Sequence, residues 1–230
     1  MGTPRRLLAA LLSAGVLLTT AACGGTATDT VDPEEALSAA RATLDETSGV
    51  HLSLRTGQLP EGVDGLTSAT GIGAHPPAFK GVVGLEVDNL SLDVPVVAIG
   101  RTVFAKLPFT VKYSQVDPTE YGAPNPAMLM DPDQGLSAWL TAAQDVTAGD
   151  PVREGDLVLT PYSGTLPGRV VADTIPSADP AGEFPVTFSL ADDGTLRSVE
   201  VSGPFYGDRG EVDYTVDFTD YGTEADIRRP

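Results

Sequence analysis

The chain has 230 residues, a formal net charge of −18 and a hydrophobic content of 41%. So acidic a surface repels phosphate backbones, which excludes a nucleic-acid-binding protein. The hydrophobic content is ordinary for a globular protein and excludes wholesale disorder. The 25 glycines and 19 prolines, with few aromatic residues, predict many turns and short strands.

The first 22 residues have the pattern of a secretory signal peptide. Arg5 and Arg6 give a basic start, residues 7–18 are almost wholly apolar, and small residues follow up to Cys23. This order of basic, apolar and small residues is typical of a signal that is removed. The apolar run is too short to span a bilayer, which requires about 20 residues.

Cys23 is the only cysteine and stands where the signal peptide ends. Ala21 and Ala22 before it form the lipobox of bacterial lipoproteins, although Thr20 stands where leucine is usual. We therefore expect a membrane lipoprotein in which residues 1–22 are removed and the thiol carries a diacylglycerol, with palmitate among the attached acyl groups. Residues 23–31 then form an acylated tether to the outer, periplasmic face of the cell membrane. The alternative is a secreted protein with a free thiol.

Residues 32–230 are predicted to form one domain. Loss of 22 residues leaves 208, enough for a sizeable core, and loss of two arginines changes the formal charge from −18 to −20. Asp32 and Pro33 are good first residues for a helix, and Gly49 ends it. Apolar residues at helical spacing give this helix its buried side: Leu37, Ala40 and Leu44.

Apolar and polar residues alternate in a series of short segments, which predicts strands joined by tight turns. The segments are 50–55, 83–87, 90–96, 103–107, 156–160, 186–190, 199–201 and 212–218. Residues 116–131 form a long loop, and a second helix begins near Asp131–Asp133. Its apolar stripe is Leu136, Trp139, Leu140 and Ala143. Eight to ten strands with two or three helices predict an α+β fold, a curved antiparallel sheet with helices on one face.

No catalytic or nucleotide-binding motif is present. His51 and His75 are predicted to be solvated or in a turn, rather than metal ligands or a catalytic base. Residues 131–135 have glycine in fifth position, where a calcium-binding loop needs it sixth, so we expect Asp131 or Asp133 to cap a helix. The sequence thus predicts no enzyme, no cofactor and no metal. A hydrolase with an unrecognised site is the alternative.

The alternating apolar faces have two interpretations. They form either an ordinary close-packed core or the wall of a lipid-sized cavity. Small and branched side chains at 83–98 leave more room than aromatic ones would, yet composition alone favours the packed core.

Five segments resemble one lipoprotein family of actinobacteria. They are 48–52, 77–97, 100–105, 125–136 and 221–222. The most specific is 125–136, where Pro-Ala is followed by a spacer and then by Pro-Asp-Gln-Gly-Leu at the start of a helix. In these segments the chain resembles the LppX/LprA/LprF/LprG family. It departs from the family at Tyr113, where tryptophan is common, and at Arg101, where glycine is usual.

The resemblance implies a half-barrel sheet wrapped against helices, with an apolar pocket between them. Relatives bind acylated glycolipids and other multi-acyl lipids and move them toward the outer envelope, some beside a major-facilitator exporter. The family has no catalytic motif. The implied function is lipid binding and transfer, and the alternative is an envelope scaffold or sensor with a filled core. The residues that we expect to face the pocket are Val83, Leu85, Val87, Leu92, Val94, Val96 and Leu140.

Overall fold

The computed structural model describes Gly2 and residues 32–88, 90–121 and 123–230. Cys23, the predicted tether and, apart from Gly2, the predicted signal peptide lie outside these described residues. The helices are α1 Pro33–Glu46, α2 Leu136–Ala142 and α3 Gly168–Thr174, with short 3-10 helices at Pro118–Tyr121, Pro126–Met130 and Gly207–Arg209. Among the described helices, none has the length and apolar content needed to cross a membrane.

Within the described residues, twelve strands form a single sheet. They are β1 Gly49–Thr56, β2 Gly65–Ala74, β3 Ala78–Val87, β4 Leu90–Ile99, β5 Thr102–Ala105, β6 Ser114–Val116, β7 Gln144–Ala148, β8 Val152–Glu154, β9 Leu157–Pro167, β10 Glu183–Ala191, β11 Leu196–Gly203 and β12 Val212–Thr219.

All strand pairs are antiparallel, and the order is β6-β5-β4-β3-β2-β1-β12-β11-β10-β9-β7, with β8 paired to β9. The sheet is curved and open, so the predicted α+β class and half-barrel are confirmed. The strand count is twelve rather than eight to ten, because β2, β6, β7 and β8 have no clean alternation of apolar and polar residues.

Helix α1 forms as predicted. The Asp32 Oδ1 accepts hydrogen bonds from the backbone N–H groups of Glu34 (2.9 Å) and Glu35 (3.4 Å), which caps the first turn. Pro33 occupies a first-turn position where no N–H is needed. The apolar stripe is buried as predicted, with Leu37, Ala40 and Leu44 at most 2% exposed.

Three side-chain hydrogen bonds link the described helices and the turn before α2. The Arg41 guanidinium on α1 donates to the Thr141 Oγ1 of α2 (2.6 Å) and to the Pro132 carbonyl in the turn before α2 (2.8 Å). The Trp139 indole N–H donates to the Thr174 Oγ1 of α3 at 3.0 Å. The helices lie against β7 and β9–β11, so they cover the C-terminal half of the sheet. The N-terminal half around β3–β5 is covered by other residues.

Two tyrosines, the half-buried Tyr206 and the buried Tyr214, form hydrogen bonds at an irregular point of the sheet. The pairing of β2 with β3 shifts register between Leu66 and Ser68. The Tyr214 hydroxyl donates to the Leu66 carbonyl (2.7 Å), the Leu66 N–H donates to the Tyr206 hydroxyl (3.2 Å), and the two hydroxyls are 2.8 Å apart. Burial raises the pKa of Tyr206 and of Tyr214 above the usual value.

The stability of the domain is therefore expected to fall above about pH 10. A tyrosine whose folded pKa is raised stabilises the fold at lower pH, and that stabilisation is lost as the pH rises past the unfolded value. Urea unfolding followed by Trp139 fluorescence from neutral pH to about pH 11 measures the loss.

Tyr214→Phe should lower the free energy of unfolding by about 1–2 kcal/mol at neutral pH, because the Leu66 carbonyl loses its donor. The variant should also lose less stability than the wild type as the pH rises. Tyr113→Phe is the control and should behave like the wild type; equal alkaline declines in all three proteins would contradict the assignment.

Candidate functional site

An apolar cavity of about 90 Å³ lies between strands β3–β5 and the chain that follows β5. Eight lining residues belong to the strands: Val83, Leu85, Val87, Leu92, Val94, Val96, Val103 and Ala105. Eight belong to a cover segment, defined here as residues 107–121 and 123–126: Leu107, Pro108, Val116, Pro118, Tyr121, Ala123, Pro124 and Pro126. Among the described lining residues, Tyr121 is the only one whose side chain has a polar group.

The strand wall follows from the two-residue period of a β-strand. Val83 on β3 lies opposite Val94 on β4, and Leu85 lies opposite Leu92. Val96 on β4 lies opposite Ala105 on β5, so the wall extends over three strands. The side chains that alternate with these wall residues along each strand point to the other face of the sheet, where Val82 is 44% exposed. A one-residue shift in register would turn the whole wall to solvent, so the cavity depends on this pairing.

Polar contacts hold the cover segment to the sheet at two places, strand β6 and Asn125. Strand β6 pairs with β5, with Val103 opposite Val116. At the second place, the Asn125 Nδ2 donates to the Gly100 carbonyl at 2.9 Å. Between these two places, the segment contacts the strand wall through apolar side chains.

The middle of the cover segment is organised by its own hydrogen bonds. The Asp117 Oδ1 accepts from the backbone N–H (3.0 Å) and the hydroxyl (2.6 Å) of Thr119. These bonds lower the pKa of Asp117. The Ala123 N–H donates to the Pro118 carbonyl at 3.1 Å. Among the described hydrogen bonds, those of residues 117–121 and 123 stay within the segment.

The structure places six of the seven predicted pocket residues together on the strand wall of this cavity. The seventh, Leu140, does not line it. Leu140 is 1% exposed in α2, and α2 packs against α1, α3, β9 and the 3-10 helix Pro126–Met130. The cover is thus the long loop rather than a helix. Sequence reasoning missed Val103 and Ala105, although both lie in the apolar alternation of segment 103–107.

The predicted polar residues do not belong to this site. His51 is half-buried in β1, and the His75 Nε2 lies 3.2 Å from the Leu44 carbonyl at the end of α1. The Asp131 Oδ1 accepts from the N–H groups of Asp133 (3.0 Å) and Gln134 (3.1 Å), which makes it a turn cap before α2. In the described part of the chain, no three or more His, Cys, Asp or Glu residues form a cluster that could hold a metal ion.

A wider space lies elsewhere. It is a groove of about 560 Å³ beside the turn after β2, and its walls include Arg101, Asp131 and Asp133. Because these charged groups need water, the groove cannot offer a dry environment to an apolar ligand. The apolar cavity is therefore the better candidate despite its smaller volume.

Comparison with known proteins gives a consistent picture. Residues 32–228 match the sequence profile of the LppX_LprAFG lipoprotein family. The structure is similar to that of LprF from Mycobacterium bovis, with a TM-score of 0.66 and 17% identity over 86% of this chain and 96% of that one. It is also similar to lipoprotein LppX from Mycobacterium tuberculosis, with a TM-score of 0.61 and 19% identity over 85% of this chain and 97% of that one. No curated protein sequence matches the chain.

Proposed function

The chain belongs to the LppX_LprAFG lipoprotein family, and from that premise we propose that it binds multi-acyl lipids, such as acylated glycolipids, and carries them across the cell envelope. The observation that supports this most directly is the cavity between β3–β5 and the cover segment, whose described lining is apolar except for the hydroxyl of Tyr121. The proposed lipid-contacting residues are the six predicted ones that line the cavity, with Val103 and Ala105 added.

A cavity with an almost wholly apolar lining suits acyl chains. Each CH₂ group removed from water contributes about 0.8 kcal/mol, on the order of 10 kcal/mol for one chain. A multi-acyl lipid therefore cannot leave a membrane for water unless a protein shields its chains. An apolar wall provides that shielding without hydrogen bonds, so it accepts chains of different length.

The size of the cavity means that lipid binding requires the walls to move. An apolar cavity of about 150 Å³ holds a benzene ring, so about 90 Å³ accommodates only the first few carbons of a chain. A second apolar void of about 20 Å³ lies alongside, and Pro124 is in the wall of both. Because the middle of the cover segment bonds to itself, its displacement would join the two spaces and break few described hydrogen bonds.

Membrane attachment and the direction of transfer are part of the proposal. Cys23 carries a diacylglycerol and holds the domain on the outer face of the cell membrane, and a major-facilitator exporter acts beside it.

The protein is not an enzyme in this proposal. In support, the described lining of the cavity contains no Ser, His, Asp or Glu that could act on a bound lipid.

A second candidate is supported by the small volume of the cavity. With about 90 Å³ of free space, the domain could serve as an envelope scaffold or sensor that holds no lipid. The two candidates differ in one measurable property, the presence of non-covalent lipid on the protein.

Mass spectrometry of the full-length protein extracted from its host membranes tests the proposal. Under native conditions we expect an adduct with the mass of a multi-acyl lipid, in addition to the covalent anchor. Under denaturing conditions the adduct should dissociate while the anchor remains, which separates cargo from anchor in one sample. Anchored protein without any native adduct would favour the scaffold and count against lipid transfer.

A further inference from the structure

The loop between β5 and β6, which includes the first residues of the cover segment, has two large apolar side chains in solvent. This loop, residues 106–112, is called the Phe109 loop below. Phe109 is 108% exposed and Val111 is 87% exposed, the two highest values among the large hydrophobic residues described. Their neighbours Leu107 and Pro108 line the apolar cavity. Within this loop, Leu107 and Pro108 therefore face the cavity, whereas Phe109 and Val111 lie in water.

The backbone of the loop directs Phe109 away from the protein. The Thr110 N–H and hydroxyl both donate to the Leu107 carbonyl, at 3.1 and 2.7 Å, which closes a tight turn. Phe109 has a φ of 65°, in the left-handed region that bulky residues rarely adopt. Folding alone does not account for a phenylalanine that is both strained and fully exposed.

The charge of this region is opposite to that of the rest of the chain. Residues 94–116 include Arg101, Lys106 and Lys112 but no Asp or Glu, in a chain whose formal charge is −18. Lys106 and Lys112 flank the two apolar residues, and both are exposed. Within the described residues, neither lysine is in an ion pair. Their charge is thus available to an external anionic partner.

We propose that the Phe109 loop inserts into the headgroup region of a bilayer containing anionic lipids. Apolar side chains flanked by lysines suit that interface, since the rings and methyl groups enter the apolar boundary while the ammonium groups meet the phosphates. Two side chains are too small a surface for a stable protein partner, which buries about 800 Å² on each side. This contact places the wall of the cavity beside the membrane. The proposal does not depend on whether the protein carries a lipid.

The experiment uses residues 32–230, which contain every described helix, strand and core residue. This removes the N-terminal anchor, so that the loop alone is measured. Phe109→Trp supplies the reporter, because the native Trp139 is 1% exposed and hydrogen-bonded in the core. With vesicles of equal parts phosphatidylglycerol and phosphatidylcholine, we expect a blue shift of the new tryptophan and quenching by brominated acyl chains. A blue shift that depends on protein concentration without vesicles would show self-association and overturn the proposal.

Matched variants assign the binding to the loop. The double change Phe109→Ser and Val111→Ser should weaken vesicle binding about tenfold or more at an unchanged melting temperature. Lys106→Gln and Lys112→Gln should each weaken binding to the anionic vesicles about fivefold and leave binding to neutral vesicles unchanged. Val152→Ser is the control, since Val152 is 53% exposed on β8, outside the loop. An equal loss in the control, or no loss in the loop variants, would overturn the proposal. Lipid cargo is measured separately, by native mass spectrometry of the full-length protein. The proposal of lipid transfer and the proposal of membrane insertion can therefore fail independently.

Discussion

Ala105→Leu is expected to weaken lipid binding about fiftyfold without lowering the melting temperature of the domain. Ala105 is 4% exposed and lines the cavity on β5, opposite Val96 on β4. The leucine adds three carbon atoms, which about 90 Å³ of free space can accept. Those carbons displace about three lipid methylenes at about 0.8 kcal/mol each, which gives the fiftyfold loss. Titration with a triacylated lipid, together with thermal unfolding, measures both quantities.

Ala98→Leu is the matched control. Ala98 is fully buried between Phe79 and Val103 and does not line the cavity. The same three carbons have no free space there, so overpacking should cost about 1–3 kcal/mol of stability. The folded protein should still bind lipid within a few-fold of the wild type. If Ala105→Leu lowered the melting temperature as much as Ala98→Leu, or left lipid affinity intact, the cavity would not be the lipid site.

The parts of the fold that were predictable have strong local patterns. Helix α1 follows from its cap at Asp32 and its apolar spacing, and the clean alternation of 83–87 and 90–96 gives β3 and β4. Strand β2 was missed because its small residues hide the alternation. Its glycines are required by the packing: a Cβ on Gly71 would lie 2.4 Å from the Lys80 carbonyl oxygen. Strands β7 and β8 were missed because they are mostly exposed and have no apolar face to detect.

The candidate site was predictable only on its strand side. The alternation in β3 and β4 identifies which side chains share a face, and the structure gathers those six around the cavity. The period of a helix places Leu140 on the buried stripe of α2 but does not say which surface that stripe meets. The cover segment has no period, so its position follows from long-range contacts such as Asn125 with Gly100. The volume of the cavity likewise depends on packing that no local pattern records.

Cys23→Ala is expected to abolish the covalent membrane anchor. Alanine has no thiol to accept a diacylglycerol, so intact-mass analysis should show the wild type without residues 1–22 and with the added lipid, and the variant without that lipid. Two acyl chains anchor a protein stably, whereas one is only marginal. The predicted removal of residues 1–22 takes away Arg5 and Arg6 and would change the formal charge from −18 to −20. A chain of that charge has no general attraction to anionic lipid.

Washing of isolated membranes with high salt then separates the covalent anchor from weaker contacts. High salt screens the charges of the lysines in the Phe109 loop. Where residues 1–22 are not cleaved from the variant, the apolar run at 7–18 is still shorter than the roughly 20 residues that span a bilayer. The Cys23→Ala protein should therefore be released while the wild type stays bound. Thr20→Leu, which introduces the residue usual at that lipobox position, is the control and should remain anchored with the same lipid mass. A Cys23→Ala protein that resisted the wash as the wild type does would show that membrane attachment lies elsewhere in the chain.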